Sequence, residues 1–229
     1  MAKLTFIGHA TWAVEGNNLK GIIDPFFDGN PQAAFKKDDF LDVNYIFLTH
    51  GHGDHIGDTI YIAKKSGATV IACFELTLYL DKFGVNTHKM HVGGRYKFPF
   101  GKVKLTPALH GNSIVDENGN IIYGGMPYGF VIEVDGKKVY HAGDTGLTMD
   151  MALLERENID VALLPIGGNF TMDIEDALRA VELIKPKLAI PMHYNTWPII
   201  EADPLKFVEG CKKLGVESLV VNPGESIEI

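Results

Sequence analysis

The stretch "LTHGHGDH", residues 48–55, packs His50, His52, Asp54 and His55 into six consecutive positions at the end of an apolar run. The chain has nine histidines in 229 residues, so a random match to H-x-H-x-D-H is expected on the order of once in a thousand such chains. A solvated, turn-rich loop is the plain alternative, and nothing in such a loop needs three imidazoles beside a carboxylate. "YIFLTH" reads as a buried strand, which puts His50 at its end, and Gly51 and Gly53 let the backbone turn sharply there. His50 and His52, two apart in extended backbone, project to one side, and the loop can bend Asp54 and His55 towards a second point. One ion rarely takes four ligands from so short a loop while keeping a position open for water. The spacing therefore suggests two metals, each short of ligands.

The missing ligands should be His, Asp or Glu at the ends of other strands. Three candidates occur there: His110 closing "VKLTPALHG", Asp144 in "VYHAGDT" and His193 in "LAIPMHY". Each follows an apolar strand pattern and precedes a turn or helix, so a rigid scaffold would hold it while the loops beyond vary. A carboxylate has two oxygens, and Asp144 can therefore bridge two ions.

The rest of the chain sets the frame. Hydrophobic residues make up 46% and charged residues 22%, ordinary for a globular protein able to bury a full core. The formal net charge of -8 argues against general affinity for nucleic acid or anionic membrane. Cys73 and Cys211 lie far apart without a C-x-x-C spacing, so each reads as a small core residue rather than a disulfide or thiolate ligand. No signal-peptide pattern and no membrane-length apolar run are read, and a cytoplasmic location is expected.

Short strand candidates open the chain: "KLTFIGH", "TWAVEG", "LKGIID" and "NYIFLTH". "IGDTIYIAKKSG" reads as a helix ended by Gly67, "ATVIACF" as a strand and "ELTLYLDKFG" as a helix closing on Gly84. Two strands surround the "FPFGK" turn, and "YGFVIEVDGKKVYHAGD" is a hairpin bending at Asp135-Gly136. Helices are expected around "TMDMALLERENI", in "DIEDALRAVELIKP" and in "DPLKFVEGCKKLG", leading to the strands "DVALLPIG", "LAIPMHYN" and "SLVVNPGESIEI". No linker or composition break interrupts this pattern, so a single layered α/β domain over residues 1–229 is expected. Residues 110–129 form the longest irregular stretch, a candidate lid or a mobile hairpin without a role.

These motifs resemble the metallo-β-lactamase superfamily of dinuclear metallohydrolases over essentially the whole chain. "HGHGDH" is similar to its signature loop, and His110, Asp144 and His193 match its remaining ligand positions in order. The resemblance implies an αββα four-layer sandwich, with His50, His52 and His110 on one metal, Asp54, His55 and His193 on a second, and Asp144 bridging. "GHATW", "IIDPFF", "HAGDTG" and "PIGGNFTMD" are most similar to the small hydrolases near the ascorbate-6-phosphate lactonase-like proteins. Asp144 stands where several lactam-cleaving members carry cysteine, which speaks against antibiotic hydrolysis.

The expectation is a hydrolase of a small ester, lactone or phosphate ester with two divalent ions, zinc first and manganese or iron as alternatives. Asp54 is the candidate catalytic residue, able to orient a hydroxide or shuttle its proton as well as bind metal. The expected partner is a small-molecule substrate, with no nucleic acid and no membrane, and self-association is left open. A nuclease of the ribonuclease Z type, a di-iron oxidoreductase and a non-catalytic metabolite sensor are the alternatives. Asp24 reads equally as a support for a ligand histidine or as an Asp-Pro turn. His9 reads as structural or substrate-binding, and Asn169 as a substrate contact or a turn residue. His141 is expected to be structural, because three residues along an extended strand put it on the face opposite Asp144. His88 and His91 carry no assignment.

Overall fold

The computed structural model describes residues 1–229. The antiparallel strands β1 (Lys3–Gly8), β2 (Thr11–Gly16) and β3 (Leu19–Ile23) open it. The parallel strands β4 (Tyr45–Phe47), β5 (Thr69–Cys73) and β6 (Asn86–Met90) extend the same sheet. Between them run a single turn α1 (Gly53–Ile56) and the helices α2 (Thr59–Ser66) and α3 (Phe74–Asp81). Gly67 ends α2 in the left-handed region at φ 75°, as a helix C-cap favours.

The second sheet begins with the hairpin β7 (Arg95–Phe98) and β8 (Gly101–Pro107). A small separate hairpin, β9 (Ser113–Val115) and β10 (Ile121–Tyr123), precedes β11 (Tyr128–Val134) and β12 (Lys137–His141). Parallel β13 (Val161–Pro165) and β14 (Leu188–Met192) follow, separated by α4 (Ile174–Ile184). The chain then runs through α5 (Pro204–Lys213), β15 (Glu217–Ser218) and β16 (Ser226–Glu228). The sheet orders are β16-β1-β2-β3-β4-β5-β6 and β15-β14-β13-β12-β11-β8-β7.

Side-chain alternation explains the layers. Phe130, Ile132 and Val134 of β11 face the core between the sheets, whereas Val131 faces the core beneath the outer helices. Val161 and Leu163 alternate in the same way with Ala162 and Leu164. A strand buried on both faces must read as a continuous apolar run, which is why "VALLP" carries no polar residue. Ala177, Ala180, Val181 and Ile184 of α4 and Phe207 and Cys211 of α5 close the outer core. Ile62, Leu76 and Leu80 of α2 and α3 cover the first sheet, completing the αββα sandwich. Asp173 caps α4 by accepting from the Asp176 amide, and Asp203 caps α5 ahead of Pro204. Cys73 and Cys211 are free and buried, as expected.

Three local expectations are corrected. Met149–Glu157 is a 3₁₀ helix; its buried residues, Met151 and Leu154, are three apart and lie directly in line at three residues per turn. Residues 110–129 are not irregular: they carry the β9–β10 hairpin, the second of the two forms expected there. Ile114 is buried, and Asp116 Oδ1 accepts from the amides of Asn118 and Asn120, so "DENGN" is the turn of the β9–β10 hairpin. In "SLVV" the strand stops at Ser218, because Val221 leaves for the core between the sheets and β16 joins β1. "NTHKM", to which no element was assigned, forms β6, a polar edge strand with only Met90 buried; such edges resist pairing with other chains.

His9, Asp24, His50, His110, Asp144 and His193 all lie just past strand ends at one edge of the sandwich. At the opposite edge, the β2–β3 and β11–β12 turns meet: Asp135 accepts from the Asn17 amide at 3.2 Å.

Candidate metal centre

His50 Nε2 lies 3.1 Å from His52 Nδ1, which lies 3.3 Å from His110 Nε2. These three nitrogens form one group within 4.8 Å, and Asp54, His55, His193 and His9 form another. Asp144 stands between the groups. Its Oδ2 is 3.2 Å from His193 Nε2, 3.5 Å from His110 Nε2 and 4.0 Å from His50 Nε2, and its Oδ1 is 3.2 Å from His55 Nε2. Asp54 Oδ2 lies 3.8 Å from His55 Nε2 and 4.0 Å from His193 Nε2. All seven residues singled out in the sequence are thus brought together.

The backbone makes this convergence possible at a cost. His9, Asp24 and His193 sit at φ 60°, 45° and 54°, a region that side chains disfavour by about 1–3 kcal/mol each. Asn112 takes the Gly51 amide on its Oδ1 at 2.8 Å and gives its Nδ2 to the Gly124 carbonyl at 2.7 Å. That clamp presses the β9–β10 hairpin onto the histidine loop so closely that a Cβ at Gly51 would lie 2.5 Å from Ile114 Cγ1.

Hydrogen bonds behind the histidines fix which nitrogen faces inward. Asp24, fully buried, accepts from the Thr49 amide at 2.8 Å, the Thr49 hydroxyl at 2.6 Å and His55 Nδ1 at 2.7 Å. The Thr49 proton being engaged, its oxygen accepts from His50 Nδ1 at 2.9 Å. His50 therefore presents an unprotonated Nε2 to the centre, His55 is held with Nδ1 on Asp24 and Nε2 turned inward, and Asp24 is a support as well as a turn. His9 does not line the pocket; its Nε2 lies 3.1 Å from Asp54 Oδ2 and its Nδ1 is hydrogen-bonded to the Thr196 hydroxyl at 2.7 Å. His141 is structural: Nε2 donates to the Ala10 carbonyl and Nδ1 accepts from the Gly143 amide. Asn169 is an exposed turn residue at φ 49°.

The donor set fits a cation. His55 Nε2, His193 Nε2 and Asp144 Oδ1 are buried and lack a hydrogen-bond partner, a costly state for polar atoms without another ligand. Three nitrogens around a tetrahedral ion with bonds near 2.0–2.1 Å stand about 3.3 Å apart, close to the spacings of His50, His52 and His110. Burial, followed by the charge on His55, holds His50 well below the usual histidine range, and burial also lowers His52 and His110. Asp144 is held well below the carboxylate range: burial opposes its charge, but His193 and His55 outweigh it. Neutral imidazoles and ionised carboxylates are the forms that bind metal. His55 differs. Burial disfavours its proton, yet Asp144, Asp24 and Asp54 together raise it well above the usual range. The same negative field would favour a bound cation in place of that proton.

A pocket of about 220 Å³ opens over the centre, lined by His52, Asp54, His110, Asp144, His193, Phe170 and Trp197. Neither Phe170 nor Trp197 stood out in the sequence; the only signal is their place in loops that follow strand ends.

Imidazoles and carboxylates converging at the strand ends of an αββα sandwich define a class of metal-dependent enzymes. Residues 21–194 match the family model described as the Beta-lactamase superfamily domain. The chain is 55% identical over 226 residues to a UPF0173 metal-dependent hydrolase of Carboxydothermus hydrogenoformans, covering 98% of this chain and 99% of that one. A UPF0173 metal-dependent hydrolase of Alkaliphilus metalliredigens is 55% identical over 219 residues, covering 96% and 97%. Among solved structures, Igni18, a metallo hydrolase from the archaeon Ignicoccus hospitalis, is 38% identical with a TM-score of 0.89, covering 100% of this chain and 99% of that one. The protein belongs to the metallo-β-lactamase superfamily and is one of its metal-dependent hydrolases. No helix is long and apolar enough to cross a membrane.

Proposed function

We propose that the protein uses two divalent ions to hydrolyse a small ester, lactone or phosphate ester. His50, His52 and His110 would hold one ion, Asp54, His55 and His193 the other, and Asp144 would bridge them. The observation that carries this reading is the convergence of three imidazole nitrogens at 3.1 and 3.3 Å beside a second group that shares Asp144. The ions are taken to be zinc, with manganese and iron as the alternatives: a set of imidazole and carboxylate without thiolate fits all three, and a metal analysis separates them.

Two such ions supply Lewis acidity and a water activated near neutral pH. The residues of the chain do the rest. Asp54, partly open to the pocket, orients the water and takes up its proton. His9 holds Asp54 from behind, and its neutral form is secured by burial and by neighbouring His193, which lower its pKa to about 4. In the reaction the water oxygen bonds to the acyl carbon or phosphorus, the ester C–O or P–O bond breaks, and the proton passes to the leaving alcohol.

The test is hydrolysis of a panel of such substrates by metal-loaded protein, with Asp54→Ala and His55→Ala as controls and metal content measured alongside. Turnover that needs two equivalents of metal and fails in both variants is expected. A loaded protein that turns over none of the panel would overturn the reading.

A further inference from the structure

The pocket lining divides in two. Five of its residues are the imidazoles and carboxylates of the centre, and the other two are Phe170 and Trp197. No Lys, Arg, Ser, Thr, Asn or Gln lines it. A phosphate ester brings several charged oxygens; beyond those that the ions of the centre would take, protein sites meet them with Arg, Lys or backbone and hydroxyl donors. This lining offers none of those side chains. Outside the centre it offers aromatic surface.

Both rings are built into place. Trp197, half-buried, stands edge-on to His9 at 5.0 Å between ring centroids and 6.2 Å from Phe26. Its neighbour Thr196 is bonded to His9, and the Ile200 amide returns to the Trp197 carbonyl. Phe170 rides on a closed loop: the Gly168 amide bonds the Met172 carbonyl at 3.0 Å, and the Met172 amide bonds the Thr145 carbonyl at 2.9 Å, one residue from Asp144. Gly168 and Asn169, at φ 65° and 49°, turn the chain so that Phe170 is 53% exposed at the pocket. A large aromatic left open beside a polar centre is a ready contact for an apolar group.

We propose, building on the hydrolase reading above, that the substrate is an uncharged carboxylic ester or lactone bearing a small apolar group, by preference a single ring. That group packs against Phe170 and Trp197 while the scissile carbonyl lies over the centre. At about 220 Å³ the pocket is below the range of roughly 300–1,000 Å³ that suits drug-sized ligands, so one ring and one ester group fill it. Phosphate esters are poor substrates.

Two measurements test this on the metal-replete protein. In the first, turnover of γ-phenyl-γ-butyrolactone is compared with that of γ-butyrolactone, and turnover of phenyl acetate with that of phenyl phosphate. We expect kcat/KM about tenfold or more higher for the ring-bearing lactone, the scale on which apolar pockets discriminate, and no turnover of phenyl phosphate. Phe170→Ala, at an exposed position where folding is not at stake, should collapse the ring preference to within about threefold. In the second, binding of phenylacetate and acetate is followed by tryptophan fluorescence. Trp12 is fully buried, so Trp197 is the reporter, and phenylacetate should bind about tenfold tighter than acetate in the wild type but not in Phe170→Ala. Lactone turnover without ring preference, an unchanged ratio in Phe170→Ala, or phenyl phosphate as the better substrate overturns this inference and leaves the hydrolase reading standing. Absence of all turnover overturns both, and phenylacetate binding then shows whether the aromatic contact alone exists.

Discussion

The inner wall of the centre and its rim are built differently. On the inner wall, His50 and His55 are buried and tied through Thr49 and Asp24, and His193 is buried against His9 with ring centroids 4.0 Å apart. On the rim, His52 and His110 are half-buried, and their only polar neighbours are the other members of the centre. The wall is held by the protein whether or not metal is bound, whereas the rim depends on the ion it helps to hold. Structural cost and metal affinity should therefore part company across the site.

The residue common to both sides gives the largest effect. Asp144→Asn should lower turnover by well over a hundredfold, since even outer partners of metal ligands are worth 10–100-fold. Metal analysis should find fewer than two ions per chain, and a variant that keeps both would break the bridging assignment. Next comes the wall. Asp24→Ala leaves the Thr49 amide, the Thr49 hydroxyl and His55 Nδ1 unpaired in a buried site, at about 1–3 kcal/mol each. The metal-free variant should lose several kcal/mol in urea unfolding and bind metal about 10–100-fold more weakly; an unchanged midpoint would show that the wall is not held as described. The rim should behave in the opposite way. His52→Ala should keep the metal-free stability within about 0.5 kcal/mol and hold one ion, the other being lost first to a chelator.

The smallest effect is acid sensitivity at the edge of the wall. His141 is kept neutral chiefly by burial, its pKa lying below the usual value near 6.5 despite the opposing charge of Asp24. The unfolded chain then binds the proton more readily, so this contribution to stability is complete above pH 6.5 and is lost as pH falls below it. Protonating Nδ1 would also remove the acceptor for the Gly143 amide. In metal-free protein, His141→Gln should flatten the acid limb of stability against pH by at most about 1.4 kcal/mol per unit, the value of one proton. An unaltered slope would assign the titration to other histidines.

What could be read from the chain follows the same divide. His50 to His55 were legible because a strand end and a tight loop keep neighbours in sequence neighbours in space. His110, Asp144 and His193 were legible because each closes an apolar run. Asp24 was half legible: its Asp-Pro turn is local, but its hold on His55 spans 31 residues and exists only once β3 and β4 pair. The position of His9 behind Asp54 needs the packing of β1 against the loop after β14. Phe170 and Trp197 stayed hidden because loop placement, not periodicity, brings them to the pocket. The 3₁₀ helix at Met149–Glu157 was missed because apolar spacings of three and four are both helical until burial chooses between them.

The edge where Asp135 takes the Asn17 amide carries a practical consequence. Every residue of the centre lies at the other end of the strands, so a linker fixed at the Asn17–Asn18 or Asp135–Gly136 side would orient the molecule with its mouth towards the bulk. Anchored there on an electrode or bead, the protein should sample dissolved substrate with its metal-binding face free, and neighbouring molecules would crowd only the end away from the centre.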